Sequence, residues 1–415
     1  MSVLLLVLYG LMACLSALNF LPPPVLDGMI NYSATSVFAR ITLQLVFIGM
    51  MSASGLTIVL STSIDARLRD EQAVGWLATT WLVIVIITLV AATWGQTEGR
   101  YGLEIPTLLD VVILVWMGVS FALMIRSLAT WEAMPIVYGV GATVVFGTQL
   151  LGLAAFANPV TERVMRVLSV NLQLNVGFLL VAVSVAFWLV RRFSDVRQAW
   201  ADTAVYNVGG LVALAGAFVS GQPLVSMGQG SAFGVLAMVI TPIAMVIVAA
   251  HFYRALSTHN SSRTLSGHWV SLFVVLVFLG LGVLGTINSA PNLAIIGLGT
   301  RLYEAQHTLI AWAVLAVFLG MVNQAVAELR GTNERITGLL PFWLVGAGTL
   351  GAGLALLVSG AIQLVLERML NVGYLDTQTL LAPVYLGWIL ALGLLALGLA
   401  IYGLGFRARR VRSTQ

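Results

Sequence analysis

Apolar runs of spanning length recur twelve times along the chain, at roughly 2–20, 38–62, 75–95, 106–126, 135–157, 173–191, 203–221, 231–253, 268–290, 306–327, 338–362 and 383–405. A bilayer core is crossed by about 20 predominantly apolar residues in a helix. The expected fold class is therefore an all-α membrane protein of twelve transmembrane helices, a single polytopic domain over 1–415. Composition agrees: 60% of residues are hydrophobic and 9% are charged, against about 25% charged in an ordinary soluble domain. The loops that remain, roughly a dozen residues each, are too short for a soluble catalytic domain.

Orientation follows from arginine. The 20 basic residues are all arginines, which gives no reason to expect a nucleic-acid partner. Fourteen follow even-numbered spans: Arg67, Arg69, Arg126, Arg191, Arg192, Arg197, Arg254, Arg263, Arg330, Arg335, Arg407, Arg409, Arg410 and Arg412. Six, namely Arg40, Arg100, Arg163, Arg166, Arg301 and Arg368, fall on the other side. Cytoplasmic loops hold the basic excess, so both termini are expected in the cytoplasm and the chain in a cell (inner or plasma) membrane. The first run lacks a basic leader and a small-residue cleavage site and ends at Pro22-Pro23-Pro24, so it reads as a retained helix.

Chemistry-bearing residues are few. Ionisable groups inside a span are costly and are functional candidates by default. Those at hand are Asp110, Glu304, His307, His251 and Glu328, all near span ends, where an interfacial or snorkelling role is the expectation. The histidines are His251, His259, His268 and His307, and the one cysteine is Cys14. No two histidines share an i, i+3 or i+4 spacing within a span, so no metal site is expected. No Gly-rich phosphate loop placed after a strand and no G-x-S-x-G turn is found, and no catalytic residue is assigned.

The most distinctive stretch runs from His268-Trp269 through Gly282-Val283-Leu284-Gly285-Thr286 and Pro291-Asn292 to Gly299-Thr300-Arg301-Leu302-Tyr303-Glu304-Ala305-Gln306-His307-Thr308-Leu309. It resembles the ninth and tenth helices of the large subunit of heme-copper oxidases (cytochrome c oxidase subunit I), especially the nitric oxide reductase and C-type branches, where the corresponding segment reads G-T-x-x-x-x-A-H-x-H-L. Gly299, Thr300, Ala305 and Leu309 match. The two heme-ligating histidines correspond to Gln306 and Thr308, with His307 between them, about 100° of helix rotation from either.

The resemblance implies further ligand positions, and they too hold other residues. Val176-Gly177-Phe178 is kept on the sixth span, but the copper-ligand position four before Gly177 is Gln173. Gly221-Gln222-Pro223-Leu224 carries no His-His pair, and Arg40-Ile41-Thr42-Leu43 puts Leu43 where the low-spin heme ligand stands. Met238-Val239-Ile240-Thr241-Pro242, midway along the eighth span, is also similar. The resemblance extends over nearly the whole chain, and the arginine-derived orientation puts Leu43, Gln173, Gln306 and Thr308 in the outer third of the membrane, the depth of the hemes in that family.

Heme iron takes His, Met, Cys or Tyr as axial ligand and copper takes imidazole or thiolate. The expectation is thus a degenerate member of that superfamily: no heme or copper, no oxygen or nitric oxide reduction of its own, and a scaffold or partner role with other membrane or redox subunits. Bulky side chains, lipid or a quinone would fill the former heme volumes, since interiors pack densely. Gly346, Gly348, Gly351 and Gly353 are expected either to face a partner or, equally, to pack within the chain.

Two alternatives stand beside it. One is a twelve-span transporter of the major facilitator type, whose loop motif finds only Asp65, Arg67 and Arg69 here. The other is a heme protein with unorthodox ligands such as His307 and His268.

Overall fold

The computed structural model describes residues 2–21, 32–62, 71–94, 105–128, 130–154, 159–193, 198–226, 231–257, 264–297, 300–330 and 337–406. Among these there is no strand. The helices are α1 (Ser2–Leu18), α2 (Tyr32–Thr62), α3 (Glu71–Thr93), α4 (Thr107–Ser127) and α5 (Ala133–Leu153). Next comes α6 (Pro159–Leu172), which continues through a π-helical turn (Gln173–Phe178) into α7 (Leu179–Phe193). They are followed by α8 (Gln198–Ser220), α9 (Gln222–Ser226), α10 (Ser231–Ser257) and α11 (Leu265–Val277), the last running through a second π turn (Phe278–Leu284) into α12 (Gly285–Ser289). The chain closes with α13 (Pro291–Gly297), α14 (Arg301–Arg330), α15 (Leu340–Gln363) with a third π turn (Leu364–Met369), and α16 (Tyr374–Gly405).

Helices cover all twelve apolar runs, and eleven of them are long and apolar enough to cross a membrane; the first is a shorter apolar helix. Several are longer than the sequence pattern suggests. The sixth begins at Pro159 rather than 173, the tenth spans Arg301–Arg330 rather than 306–327, and the twelfth begins at Tyr374 rather than 383. Pro383 lies inside α16 without ending it, a placement that membrane helices tolerate because neighbouring groups take up the freed carbonyl.

Packing order follows chain order around a closed ring. α1 packs on α2 and on α16; α16 packs on α15, α15 on α14, α14 on α11, and α10 on α8. Helix α7 lies inside the ring: every residue from Leu179 to Val190 is buried, and 94% of its most apolar window is covered, against 28% for α3 and 33% for α10. A helix apolar on all sides belongs in a core or a membrane. Helix α14 touches α2, α7, α11, α15 and the first π turn, so the element bearing Gln306 meets both the one bearing Leu43 and the one bearing Gln173.

Buried aromatic tips tie the ring together, since an N–H or O–H in hydrocarbon needs a partner. Trp312 donates its indole N–H to the Tyr9 hydroxyl at 2.9 Å, joining α14 to α1. Tyr402 donates to the Leu319 carbonyl at 2.6 Å, joining α16 to α14. Trp116 donates to the Leu77 carbonyl at 3.0 Å, and its ring stacks on Trp81 with centroids 4.3 Å apart.

Of the two roles open to the glycines of α15, Gly348 and Gly353 take packing within the chain and not the partner surface. A Cβ at Gly348 would lie 2.6 Å from the Leu395 nitrogen, and one at Gly353 would lie 2.4 Å from Leu309 Cδ2. Close helix approach through small residues is used here to seat α15 against α16 and α14.

Candidate functional site

Hydroxyls and neutral amides make up the buried polar interior among the described residues, with Asp110 the one buried carboxylate. Gln173 opens the first π turn and is buried, as is Gln306 in the second turn of α14. π turns are frequent at functional positions. At this one, Gly216 of α8 lies so close that a Cβ there would stand 2.1 Å from the Asn175 carbonyl oxygen, and Gly141 of α5 would stand 2.8 Å from the Gly177 oxygen. Glycine at 141 and 216 thus brings α5 and α8 onto the π turn.

Two hydrogen-bonded groups result. In the first, Gln173 Nε2 donates to Gln149 Oε1 at 2.9 Å, and Gln149 Nε2 donates to Asp110 Oδ1 at 3.0 Å. Asp110 is only 2% exposed. In the second, Asn288 Nδ2 donates to Gln306 Oε1 at 2.8 Å, while Gln222 Nε2 reaches Gln306 Oε1 at 3.4 Å, the Gly285 carbonyl at 3.0 Å and Ser289 Oγ at 3.0 Å. Asn175 Nδ2, contacting Ser220 Oγ at 3.4 Å, lies between them in the chain order of the helices. Gln306 Nε2, Gln222 Oε1 and Asn175 Oδ1 are buried without a hydrogen-bond partner within the protein.

Magnitudes indicate what this cluster does for the fold. An amide placed in hydrocarbon with no partner costs about 4–8 kcal/mol, whereas an interhelical bond inside a membrane protein contributes about 0.6–2 kcal/mol. The cluster is therefore a constraint on which helices meet more than a source of net stability.

The expected ligand positions divide. Gln173 and Gln306 are drawn into the cluster. Leu43 is half-buried and packs against the core of α2, and Thr308 is half-buried on α14; neither belongs to the cluster. His307 has both ring nitrogens against oxygens, Nδ1 at 2.9 Å from the Tyr303 carbonyl and Nε2 on Asn171 Oδ1, and the Tyr303 hydroxyl donates to the same Asn171 oxygen at 3.2 Å. His307 is thereby engaged as a hydrogen-bonding residue between α14 and α6. His268 bonds the Thr264 carbonyl at 2.6 Å, on α11.

The ionisable candidates divide as well. Glu304 pairs with Arg301, whose guanidinium lies 4.3 Å from the Phe20 ring centre. Glu328 pairs with Arg192 at 3.7 Å, and His251 bonds the Ile247 carbonyl at 2.9 Å; these are span-end positions, as expected. Asp110 departs from the expected snorkelling role, because it is buried and held by Gln149. His259, Gly299, Asp65, Arg67 and Arg69 lie outside the described residues.

Among the described residues, no three His, Cys, Asp or Glu side chains converge on one point. The residues at the four positions do not fit heme or copper by donor chemistry: two are amides, of which Gln306 Oε1 and Gln173 Nε2 already bond within the protein, one is a hydroxyl and one is a hydrocarbon. Sequence reasoning confined to ionisable groups missed Gln149, Asn171, Asn175, Gln222 and Asn288. A scan for amides inside apolar runs would have flagged most of them, since they are costly there for the same reason. Scanned against the models of known protein families the chain matches none, and no curated protein matches it.

Proposed function

We propose that this chain is a non-catalytic, oxidase-large-subunit-like membrane protein with twelve crossings and cytoplasmic termini, acting as a scaffold subunit in a membrane redox complex. The observation that carries the reading is the pair Gln173 and Gln306. At both positions, where the resemblance puts metal-ligating histidines, a buried amide joins neighbouring helices instead. The central meeting of α2, α7 and α14 supports it, as does depth: Leu43, Gln173, Gln306 and Thr308 all fall within the first third of the apolar helices Thr35–Leu60, Val164–Phe193 and Arg301–Arg330. Among the described residues no set of metal-ligating side chains converges, and association with other membrane subunits is a function such a helical bundle can serve.

The test is purification from native membranes in mild detergent, followed by an optical spectrum and identification of co-purifying chains. The reading expects stoichiometric membrane partners and any heme to belong to them. A Soret band that stays with this chain at one heme per polypeptide overturns it. The topology is tested by single cysteines at Gln415 and within 191–202 in a Cys14→Ser background: both should resist a membrane-impermeant thiol reagent in intact cells.

Buried Asp110 favours a second reading, a secondary transporter, because a carboxylate inside a bundle is a common substrate or proton site. Uptake of a solute by liposomes containing the chain alone would establish it over the scaffold.

A further inference from the structure

Three buried polar atoms of the amide cluster have no hydrogen-bond partner among the described residues: Gln306 Nε2, Gln222 Oε1 and Asn175 Oδ1. Their residues are 0%, 3% and 0% exposed. Turning an amide over, so that its nitrogen and oxygen trade places, does not pair them, because fixed acceptors decide which end is which. Gln222 Nε2 lies on the Gly285 carbonyl at 3.0 Å, so the other atom of that amide is an oxygen. Asn288 Nδ2 reaches the Leu302 carbonyl at 3.4 Å and Gln306 at 2.8 Å, so the Gln306 atom that meets it is the oxygen and the remaining one is the NH2 group. Ser220 donates its hydroxyl to the Gly216 carbonyl at 2.7 Å. It can then only accept from Asn175, at 3.4 Å, and the remaining Asn175 atom is an acceptor.

The result is one donor and two acceptors of fixed sense, on α14, α9 and the first π turn. The amides of Gln222 and Gln306 already face each other, with Gln222 Nε2 3.4 Å from Gln306 Oε1. Asn175 joins them through Ser220, two residues before Gln222, and α14 touches the π turn that carries it.

We propose that this is an internal water site: one water accepts from Gln306 Nε2 and donates to Gln222 Oε1, and Asn175 Oδ1 accepts from that water or from a second one bonded to it. A cation here would face the Gln306 NH2 group, and an anion would face two carbonyl oxygens. A neutral molecule that both donates and accepts suits the set, and water does both in the least space. Two bonds of about 2.9 Å through one oxygen span up to about 6 Å, a reach that suits two amides already in contact. Buried waters typically make about three bonds to groups the protein leaves unpaired, which is the number of atoms at hand. The water closes the contact between α9 and α14 and extends it toward the π turn, whether the chain serves as a scaffold or as a transporter.

The experiment is a cryo-electron microscopy map of the full chain in a lipid nanodisc with a bound antibody fragment, at a resolution that shows ordered water. A peak of water size should stand at hydrogen-bonding distance from both Gln306 Nε2 and Gln222 Oε1. Gln306→Met, which keeps the side-chain length and removes both polar atoms, should lose that peak while Gln222 keeps its bonds to Gly285 and Ser289. A second measurement needs no folded variant: in the wild-type chain labelled with 15N-glutamine, the Gln306 side-chain N–H signal should show a direct nuclear Overhauser contact to water. A wild-type map without the peak, Gln306 Nε2 bonded to a protein oxygen, a peak undiminished in Gln306→Met, density of a larger molecule at the pair, or no Overhauser contact would each overturn the proposal.

Discussion

At the end of the bundle where α6, α9 and α13 come together, the innermost polar groups are amides bonded from helix to helix, ending on the carboxylate of Asp110: Gln149, Gln173, Gln222 and Gln306 are each under 10% exposed. The Arg166–Glu162 and Arg301–Glu304 pairs lie at that end too. At the opposite end, where α4, α7 and α14 finish, polar groups are charged and half-exposed. Arg191 and Glu132 are 27% and 24% exposed, and Arg192 and Glu328 are 40% and 39% exposed. Solvent or headgroups can satisfy the second set if a bond is lost, but nothing can satisfy the first. Equal-looking hydrogen bonds should therefore differ several-fold in the effect of breaking them.

The steepest test of that contrast is steric. Gly216→Leu pushes a side chain into the Asn175 carbonyl and should destabilise the fold by about 3 kcal/mol or more, the upper range for overpacking a close contact. The expected outcome is loss of the monodisperse peak in fluorescence-detected size exclusion. Gly210, with open space around its Cβ, is the control, and Gly210→Leu should elute as wild type. If both behave alike, the tight approach of α8 to the π turn is not a constraint.

The next effect is electrostatic. Gln306→Leu removes the 2.8 Å acceptor of Asn288 Nδ2, leaving it only the Leu302 carbonyl at 3.4 Å, and loosens Gln222; at about 1–3 kcal/mol for weakening a buried donor's bonding it should lower the thermal midpoint in detergent clearly. Gln306→Glu restores an acceptor and should recover part of the loss. A midpoint unchanged by Gln306→Leu would show that the amide cluster places nothing.

The smallest effect belongs to the arginine-rich end. Arg192→Ala removes a half-exposed ion pair and should shift stability by less than about 1 kcal/mol, and less again in high salt. A larger loss would equalise the two ends and remove the distinction drawn between them.

Much of the architecture was legible in residue order. Twelve apolar runs became helices, and the arginines Arg126, Arg191, Arg192 and Arg330 gathered near helix C-termini where charge is affordable. Gln173 and Gln306 could be singled out because a motif surrounds them. Asp110 was misjudged because its place near the start of α4 looks interfacial, whereas α5 covers it with Gln149, 39 residues away in the chain. The role of the α15 glycines stayed open between a partner face and packing within the chain for a related reason: Gly348 and Gly353 are small because α16 and Leu309 press on them, and a small residue has the same letter whether its neighbour is another chain or its own.

What the sequence determined alone was the class of the molecule, since only a helical membrane protein can carry so much apolar surface with so few charges, and the asymmetry of its basic residues. Which helix lies in the middle was decided by tertiary structure. Helices α3 and α7 are both strongly apolar, yet α3 is largely open to lipid and α7 is almost wholly enclosed. In water, burying hydrocarbon would have distinguished them; in a bilayer, lipid tails are as apolar as leucine, so hydropathy exerts no inward pull and position is set by shape, close glycine contacts and the pairing of buried amides.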